Sequence, residues 1–282
     1  MTLEQRVRMV ANEIDASRVM ALEIHGGRVI VSGDRQKAVQ PEPGGEIQVI
    51  RSGLDGPRVP RRIESFELAD LARRYQSLDC GSSTPVVMAE SVFSGHLLVN
   101  AGCYQDGRFT GRQTVLGRRE LVAVPGMTPE HVDQALADLA EVAGPRVVRV
   151  DYRAADSFSG EEIRVTLPTS TQLTRLGSPC SPQVTRSLDF DGEKWGMLMS
   201  VSCESSYASK PERPFALADV AGADVVRALE DLKNALQSHY ERKVVLDWAW
   251  VERRDDGVLV MSTPGAYNES EKLDLRIPLR RG

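Results

Sequence analysis

A chain of 282 residues that is 41% hydrophobic and 27% charged has the composition of an ordinary globular protein, which excludes a fibrous or wholly disordered one. The longest apolar stretches run about five residues, far short of the roughly 18 that span a bilayer, so no membrane partner is expected. The net charge of −5 argues against a surface that binds nucleic acid over its whole area, although a local basic patch is compatible with it.

The chain is predicted to begin with a helix and a hairpin. Apolar residues recur at helical spacing over residues 2–15, which predicts an amphipathic helix. Strands are predicted over 19–24 and 28–32, on either side of Gly26 and Gly27. Two glycines tolerate the positive φ angles that a tight hairpin turn requires, so the two strands are expected to pair.

A long loop and a second helix complete the N-terminal region, residues 1–79. Prolines and glycines crowd residues 34–62 around one short apolar run at 47–50, which predicts a loop crossed by a single strand. Ser65 is predicted to cap a helix over residues 66–78, where apolar residues again recur at helical spacing.

The rest of the chain is predicted to contain two related ββ-α-ββ units, residues 80–170 and 171–282. Two pairs of cysteines share a spacing of 23 positions, Cys80 with Cys103 and Cys180 with Cys203. Three local segments also correspond, pairing residues 135–139 with 228–232, 150–152 with 246–248, and the span from Tyr152 to Pro168 with that from Trp248 to Pro264. The predicted fold class is therefore α+β, with antiparallel sheets and the two units in a pseudo-twofold arrangement. The alternative is that amphipathic helices and hairpins resemble one another in general.

The four cysteines are predicted to be free thiols in a cytoplasmic protein. The N-terminus carries charges among its apolar residues, unlike a secretory signal, and no C-x₂-C pair forms a zinc motif. Cys103 and Cys203 lie within apolar strands, where a free cysteine is commonly a small buried hydrophobe. No metal and no cofactor are expected.

Asp151 and Asp247 occupy matching positions beside an aromatic residue in the two predicted units. A paired-carboxylate site across the pseudo-axis would raise one pKa and could serve acid-base chemistry. In alternating strands, however, both side chains are expected on the solvated face. The four histidines are scattered singly, so His131 and His239 enter only as candidates for the same site.

An arginine-rich segment, residues 104–127, separates Cys103 from the helix that begins at Thr128-Pro129. Arginine forks suit bidentate recognition of oxyanions, and aromatic rings offer stacking faces. The candidate partner-binding residues are Tyr104, Arg108, Phe109, Arg112, Arg118 and Arg119. A twisted hairpin with charged edges would have the same sequence pattern.

The function expected from these features is non-catalytic binding of a protein partner or self-association, as in an immunity, chaperone-like or assembly role. The alternative is an enzyme with a site at the seam between the two repeat units, where Asp151, Asp247, His131 or His239 could converge. A third possibility is nucleic-acid binding, if the arginines of 104–127 and of the loop at 58–62 lie on one face.

Overall fold

The computed structural model describes residues 1–51, 58–155, 160–168, 174–175, 178–188, 196–205, 213–240, 246–264 and 272–276. Within these ranges the chain is an α+β protein with four α-helices and large antiparallel sheets, so the predicted fold class is confirmed at that level. None of the described helices is long and apolar enough to cross a membrane.

The chain divides into two compact units. The first comprises Met1–Val122, Thr174–Ser178 and Gly192–Met199, and the second comprises Ala123–Leu173, Pro179–Asp191 and Ser200–Gly282. The α-helices are α1 (Leu3–Ala11), α2 (Leu68–Ser77), α3 (Pro129–Ala143) and α4 (Gly222–Tyr240), and short 3-10 helices lie at Ile63–Phe66 and Leu217–Asp219. The strands up to residue 120 are β1 (Val19–His25), β2 (Arg28–Gly33), β3 (Gln36–Gln40), β4 (Gln48–Arg51), β5 (Thr84–Ser91), β6 (Leu97–Gln105), β7 (Arg108–Leu116) and β8 (Arg119–Glu120). The later strands are β9 (Arg146–Val147), β10 (Arg149–Arg153), β11 (Glu162–Thr166), β12 (Thr174–Arg175), β13 (Ser178–Ser187), β14 (Met199–Ser205), β15 (Phe215–Ala216), β16 (Trp248–Arg253), β17 (Leu259–Pro264) and β18 (Lys272–Arg276).

The sheet of the first unit has the strand order β4-β3-β2-β1-β5-β6-β7-β8, and each neighbouring pair is antiparallel. α1 precedes the run β1 to β4, and α2 precedes the run β5 to β8. The two runs meet at β1 and β5, where Leu22 lies opposite Ala89. The sheet therefore consists of two similar halves, each a helix followed by four consecutive antiparallel strands.

Local sequence rules account for the beginning of this unit. Thr2 caps α1 and forms a capping box with Gln5. Gly26 and Gly27 both have positive φ, at 56° and 84°, and join β1 to β2 as predicted. The cap of α2 differs from the prediction, because Glu67 precedes the helix in a left-handed conformation while the Ser65 hydroxyl donates to the Arg62 carbonyl within the 3-10 helix.

The core of the first unit lies between its sheet and its two helices. Buried side chains from both helices and from β1, β2, β5, β6 and β7 form one cluster, which includes Val7, Leu71, Ile24, Val87 and Val99. Because strand side chains alternate between faces, the residues next to these core positions point to the opposite face of the sheet. That opposite face carries the candidate site described below.

The sheet of the second unit contains the order β13-β11-β10-β16-β17-β18, with β14 also paired to β13. Thr128 caps α3 and Pro129 is its first residue, as the sequence predicted. Val132 of α3 and Val225 of α4 line a small gap together with Val150 of β10, which places both helices on this face of the sheet.

A buried ion pair joins α3 to β13 beneath the helices of the second unit. The Arg186 Nε atom donates to Asp138 Oδ2 at 3.0 Å, and both side chains are 1% exposed. Arg186 also donates to the Ser187 carbonyl at 2.7 Å, and Gln134 donates to the second Asp138 oxygen at 3.0 Å. These contacts supply the hydrogen bonds that buried charges require.

The predicted repeat boundaries cut across the sheets. Of the predicted unit 80–170, β5 and β6 pair within the first sheet, whereas β10 and β11 pair within the second. The strand pairing therefore does not confirm the specific ββ-α-ββ duplication. The internal similarity is instead between halves that each consist of a helix and the strands that follow it.

Candidate protein-binding surface

The β6–β7 hairpin turns through two residues, Asp106 and Gly107. Their φ angles are 51° and 82°, and Gln105 lies opposite Arg108 across the turn. Positive φ at both central residues is the geometry of a type I′ turn, whose twist matches that of the flanking strands. The segment predicted as a twisted hairpin, 104–127, thus contributes the end of β6 and all of β7 and β8.

Behind the turn the two strands approach closely at a pair of glycines. Gly102 lies opposite Gly111, next to a β-bulge in the ladder. A Cβ atom on Gly102 would overlap the Thr110 carbonyl oxygen and lie 2.9 Å from Cζ of Phe109. The Phe109 ring therefore lies over Gly102, and only glycine fits beneath it.

Three aromatic side chains meet on the face of the sheet that is opposite to the helices. Tyr104 of β6 lies across from Phe109 of β7, so both rings point to the same face. His25 of β1 reaches the Tyr104 ring edge to face, with ring centroids 4.8 Å apart. With the exposed Arg28, which lies opposite His25, these residues form a patch that we call the aromatic surface. Arg108 precedes Phe109 in β7 and pairs with Gln105, so it points to the other face of the hairpin.

The aromatic surface is open to solvent although its rings are fixed in place. Tyr104 and Phe109 are partly exposed, and the His25 side chain is 26% exposed. His25 Nδ1 lies 3.2 Å from Glu23 Oε1, which orients the imidazole ring. Within the described ranges the Tyr104 hydroxyl has no hydrogen-bond partner, so a partner can bond it without breaking an internal contact.

The four predicted arginines are all exposed, but they do not form one cluster. Arg108 begins β7, Arg112 lies at the bulge, and Arg118 and Arg119 follow the other end of the strand. Since β7 has nine residues, its ends are roughly 27 Å apart at about 3.4 Å per residue. This distance exceeds the Debye length of about 8 Å at physiological salt, so the two ends act as separate charges.

The basic loop at 58–62 is largely built into the sheet. Arg58 Nε donates to Glu90 Oε1 at 3.0 Å, and this arginine side chain is 9% exposed. The backbone of Arg61 exchanges hydrogen bonds with Val19 of β1. The charge of Arg58 is therefore neutralised locally and does not extend a basic stripe from the hairpin.

The prediction that Asp151 lies on a solvated face is wrong, because this residue is only 5% exposed. Arg149 donates to Asp151 Oδ1 at 2.6 Å and 2.8 Å, and Trp248 Nε1 donates to the same oxygen at 2.9 Å. The Arg149 guanidinium also stacks over the rings of Trp248 and Trp250, at 5.0 and 4.7 Å from their centroids. Sequence alternation identified the correct face of β10, but the tryptophans that cover it come from β16, nearly 100 residues later.

The other residues proposed for an enzyme site are not brought together in the described structure. Asp247 is exposed, as predicted, and the recorded partners of Asp151 are Arg149 and Trp248. His131 lies in the first turn of α3 with Nδ1 3.2 Å from the Gly126 carbonyl oxygen, whereas the Asp151 carboxylate accepts from Arg149 and Trp248. The side chain of His239 lies outside the described residues.

The cysteines correct the prediction of free thiols. Cys80 and Cys103 form a disulfide, and Cys203 is also disulfide-bonded. No free cysteine occurs among the described residues, and the side chain of Cys180 lies outside them. Burial of Cys103 and Cys203, each 6% exposed, is as predicted. The argument from reduced thiols to a reducing compartment is therefore lost, and a cytoplasmic location stays a prediction.

Two further observations limit the chemistry of the described part of the chain. No three His, Cys, Asp or Glu side chains within it lie together as a metal ligand set. Burial raises the pKa of the Tyr152 phenol above its ordinary value, and the Glu161 carboxylate, which accepts its hydrogen bond at 3.1 Å, raises it further. Tyr152 is thus held protonated as a structural donor.

Comparison with known proteins adds no assignment, since no family model matches the chain and no curated protein resembles it significantly.

Proposed function

We propose that this protein is a non-catalytic binding protein that holds a protein partner against the aromatic surface. One observation carries the proposal: His25, Tyr104 and Phe109 lie together, partly exposed, on a sheet face beside the exposed Arg28. Tyrosine, phenylalanine and arginine are enriched at the centres of protein interfaces, where few side chains supply most of the binding energy.

The composition of the surface favours a protein partner over nucleic acid. The exposed Arg28 is accompanied on this face by Glu23, which contacts His25, so the patch carries both signs of charge. A nucleic-acid platform combines stacking rings with a predominantly basic groove, because phosphate contacts dominate the affinity. Mixed charge around aromatic anchors is instead what a protein partner of complementary pattern recognises.

The rigidity of the surface also supports binding. Tyr104 and Phe109 are held by strand pairing, and the type I′ turn fixes the hairpin that carries them. Side chains that are already ordered lose little conformational entropy when a partner docks. The hairpin predicted from the sequence as the contact surface is kept in this proposal, with Tyr104 and Phe109 as its contact residues. Arg108 points to the other face of the hairpin, and Arg118 and Arg119 lie at the far end of β7.

Self-association is the second candidate, and a separate observation favours it. β4 is the edge strand of the first sheet, and all four of its residues are exposed, including Val49 at 43% and Ile50 at 46%. An apolar edge strand can pair with a strand of another chain, whereas the opposite edge, β8, has only two charged residues. Light scattering over a range of concentrations, with Val49→Lys as the blocking variant, tests this candidate.

We also infer that the chain contains an internal duplication with pseudo-twofold character. The similarity of the two halves of the first sheet supports it, since each half is a helix followed by four strands. α3 and α4 likewise precede antiparallel strands in the second sheet. Duplicated halves provide a framework on which one face diverges for binding while the core is kept.

The test of the proposed function is affinity capture from an extract of the organism that encodes the protein. The double variant Tyr104→Ala/Phe109→Ala is compared with the wild type and with Phe93→Ala. Phe93 is a matched control, because it is an exposed phenylalanine in the turn that joins β5 to β6, at the opposite end of these strands. A protein recovered in stoichiometric amount is then purified, and its affinity for each variant is measured by calorimetry.

The proposal expects the double variant to lose at least tenfold in affinity and Phe93→Ala to bind like the wild type. Charge reversal gives a second comparison, in which Arg28→Glu weakens the complex and Arg118→Glu does not. A partner that binds all variants equally, or that loses as much affinity with Phe93→Ala as with the double variant, would remove the aromatic surface from the account.

A further inference from the structure

The tip of the β6–β7 hairpin extends beyond the rest of the sheet. β5 begins at Thr84, which lies opposite Tyr104, so among the described residues Gln105 to Arg108 have no neighbouring strand on the β5 side. On this side the Ser83 hydroxyl donates to Gln105 Oε1, at 2.8 Å. The aromatic surface therefore lies at the end of β6, where β5 begins.

Two paired residues at this end have no side chain. Gly102 and Gly111 face each other at a bulge, and the Phe109 ring lies over Gly102. Pro85 has no N–H, and its carbonyl accepts from Gly26 at 3.1 Å without a return bond. Backbone hydrogen bonds therefore hold this end of the hairpin, and they include those that Phe109 and Gly111 make with Gly196.

The Cys80–Cys103 disulfide lies at this point. Cys103 directly precedes Tyr104 in β6, and Cys80 lies in the connection between α2 and β5. Cys103 pairs across from Pro85 and points to the helical face, so the bond supports the strand from behind the aromatic surface. The two cysteines are 23 positions apart in sequence, and the segment between them contains all of β5.

We propose that the Cys80–Cys103 disulfide is a redox control of the aromatic surface, a proposal that rests on the binding function above. Cys80 is partly exposed, so a dithiol reductant can reach the bond. A thiolate of the dithiol attacks one sulfur and breaks the Sγ–Sγ bond, which gives a mixed disulfide. The second thiol of the dithiol then resolves this mixed disulfide. Two electrons and two protons pass to the cysteines, which become thiols, and the dithiol becomes a disulfide. The hairpin end is then released, and the Tyr104 and Phe109 rings lose their fixed positions.

Hydrogen exchange measured by mass spectrometry tests the structural half of this inference without a partner. The variant Cys80→Ala/Cys103→Ala is compared with the wild type, since it leaves the disulfide of Cys203 in place. The expected result is exchange about tenfold faster or more in residues 102–111 and unchanged exchange in residues 28–40 of the same sheet. Within residues 102–111, wild-type protein treated with dithiothreitol should exchange like the variant and should recover when it is reoxidised with glutathione disulfide. The variant itself isolates the Cys80–Cys103 bond, since dithiothreitol can also reduce the disulfide of Cys203.

Unchanged exchange at 102–111 would overturn the inference, because the disulfide would then not order the hairpin. Equal acceleration in 28–40 would also overturn it, because the disulfide would then stabilise the whole unit. The second arm measures photo-crosslinking in cell extract from benzoylphenylalanine at position 109, with and without the alanine substitutions. A fall in yield of at least tenfold in the disulfide-free protein is expected. An equal yield in both proteins would refute the redox control alone, whereas no crosslink from either would refute the proposed function.

Discussion

Replacing Asp138 by asparagine is expected to destabilise the second unit by about 3 kcal/mol or more. The carboxylate and Arg186 are each 1% exposed and lie 3.0 Å apart, so both charges are removed from water. Asparagine preserves the shape but leaves the buried guanidinium without this counter-charge. Breaking a buried pair from one side typically costs about 3 to 5 kcal/mol.

Asp231 of α4 provides a matched control for this substitution. It occupies the corresponding position when residues 228–232 are aligned with 135–139, yet its side chain is exposed. Asp231→Asn should therefore change the free energy of unfolding by no more than about 0.5 kcal/mol. The paired replacement Asp138→Leu/Arg186→Met should cost less than Asp138→Asn, since it removes both charges together.

The assay is urea denaturation followed by tryptophan fluorescence. Trp248 and Trp250 lie in the same unit as the ion pair, so their emission reports on its unfolding. The change in midpoint, multiplied by the common slope, gives the difference in stability. A cost below about 1 kcal/mol for Asp138→Asn, or an equal cost for Asp231→Asn, would refute the assignment of a buried, energetically important pair.

Three further outcomes are expected. Gly102→Ala should destabilise the first unit by about 1 to 3 kcal/mol in thermal unfolding, because the added methyl group overlaps the Thr110 carbonyl oxygen; an unchanged midpoint would contradict the close packing there. The raised pKa of Tyr152 means that the folded state keeps its proton longer than the unfolded state, so stability is full below pH about 10 and falls above it. Tyr152→Phe should reduce this alkaline loss in pH-dependent denaturation. Thiol counting on the unfolded, unreduced protein should detect neither Cys80 nor Cys103, and detection of both would restore the reduced-thiol prediction.

Elements set by local rules were predictable from the sequence. Thr128-Pro129 specifies the start of α3, and Gly26-Gly27 specifies the first hairpin, because caps and tight turns depend on a few adjacent residues. The choice of strand partners was not predictable. β5 pairs with β1, across some 60 residues, and periodicity carries no information about which distant strand supplies the neighbouring ladder.

The same limit applies to the candidate site. Tyr104 and Phe109 were identified from the sequence because they belong to one hairpin. His25 was missed, since its contact with Tyr104 arises only when β1, β5 and β6 lie side by side. The Cys80–Cys103 disulfide was missed as well, because a shared 23-residue spacing of two cysteine pairs indicates duplication and does not say which cysteines bond.

The most direct test of the central claim is photo-crosslinking from the aromatic surface itself. Benzoylphenylalanine replaces Phe109 in one protein and Phe93 in another, so that both probes occupy exposed phenylalanine positions of the same unit. After irradiation in cell extract, the account predicts one dominant crosslinked protein from position 109. This protein is not expected to be crosslinked from position 93. The same products from both positions, or no product from position 109, would contradict binding at the aromatic surface.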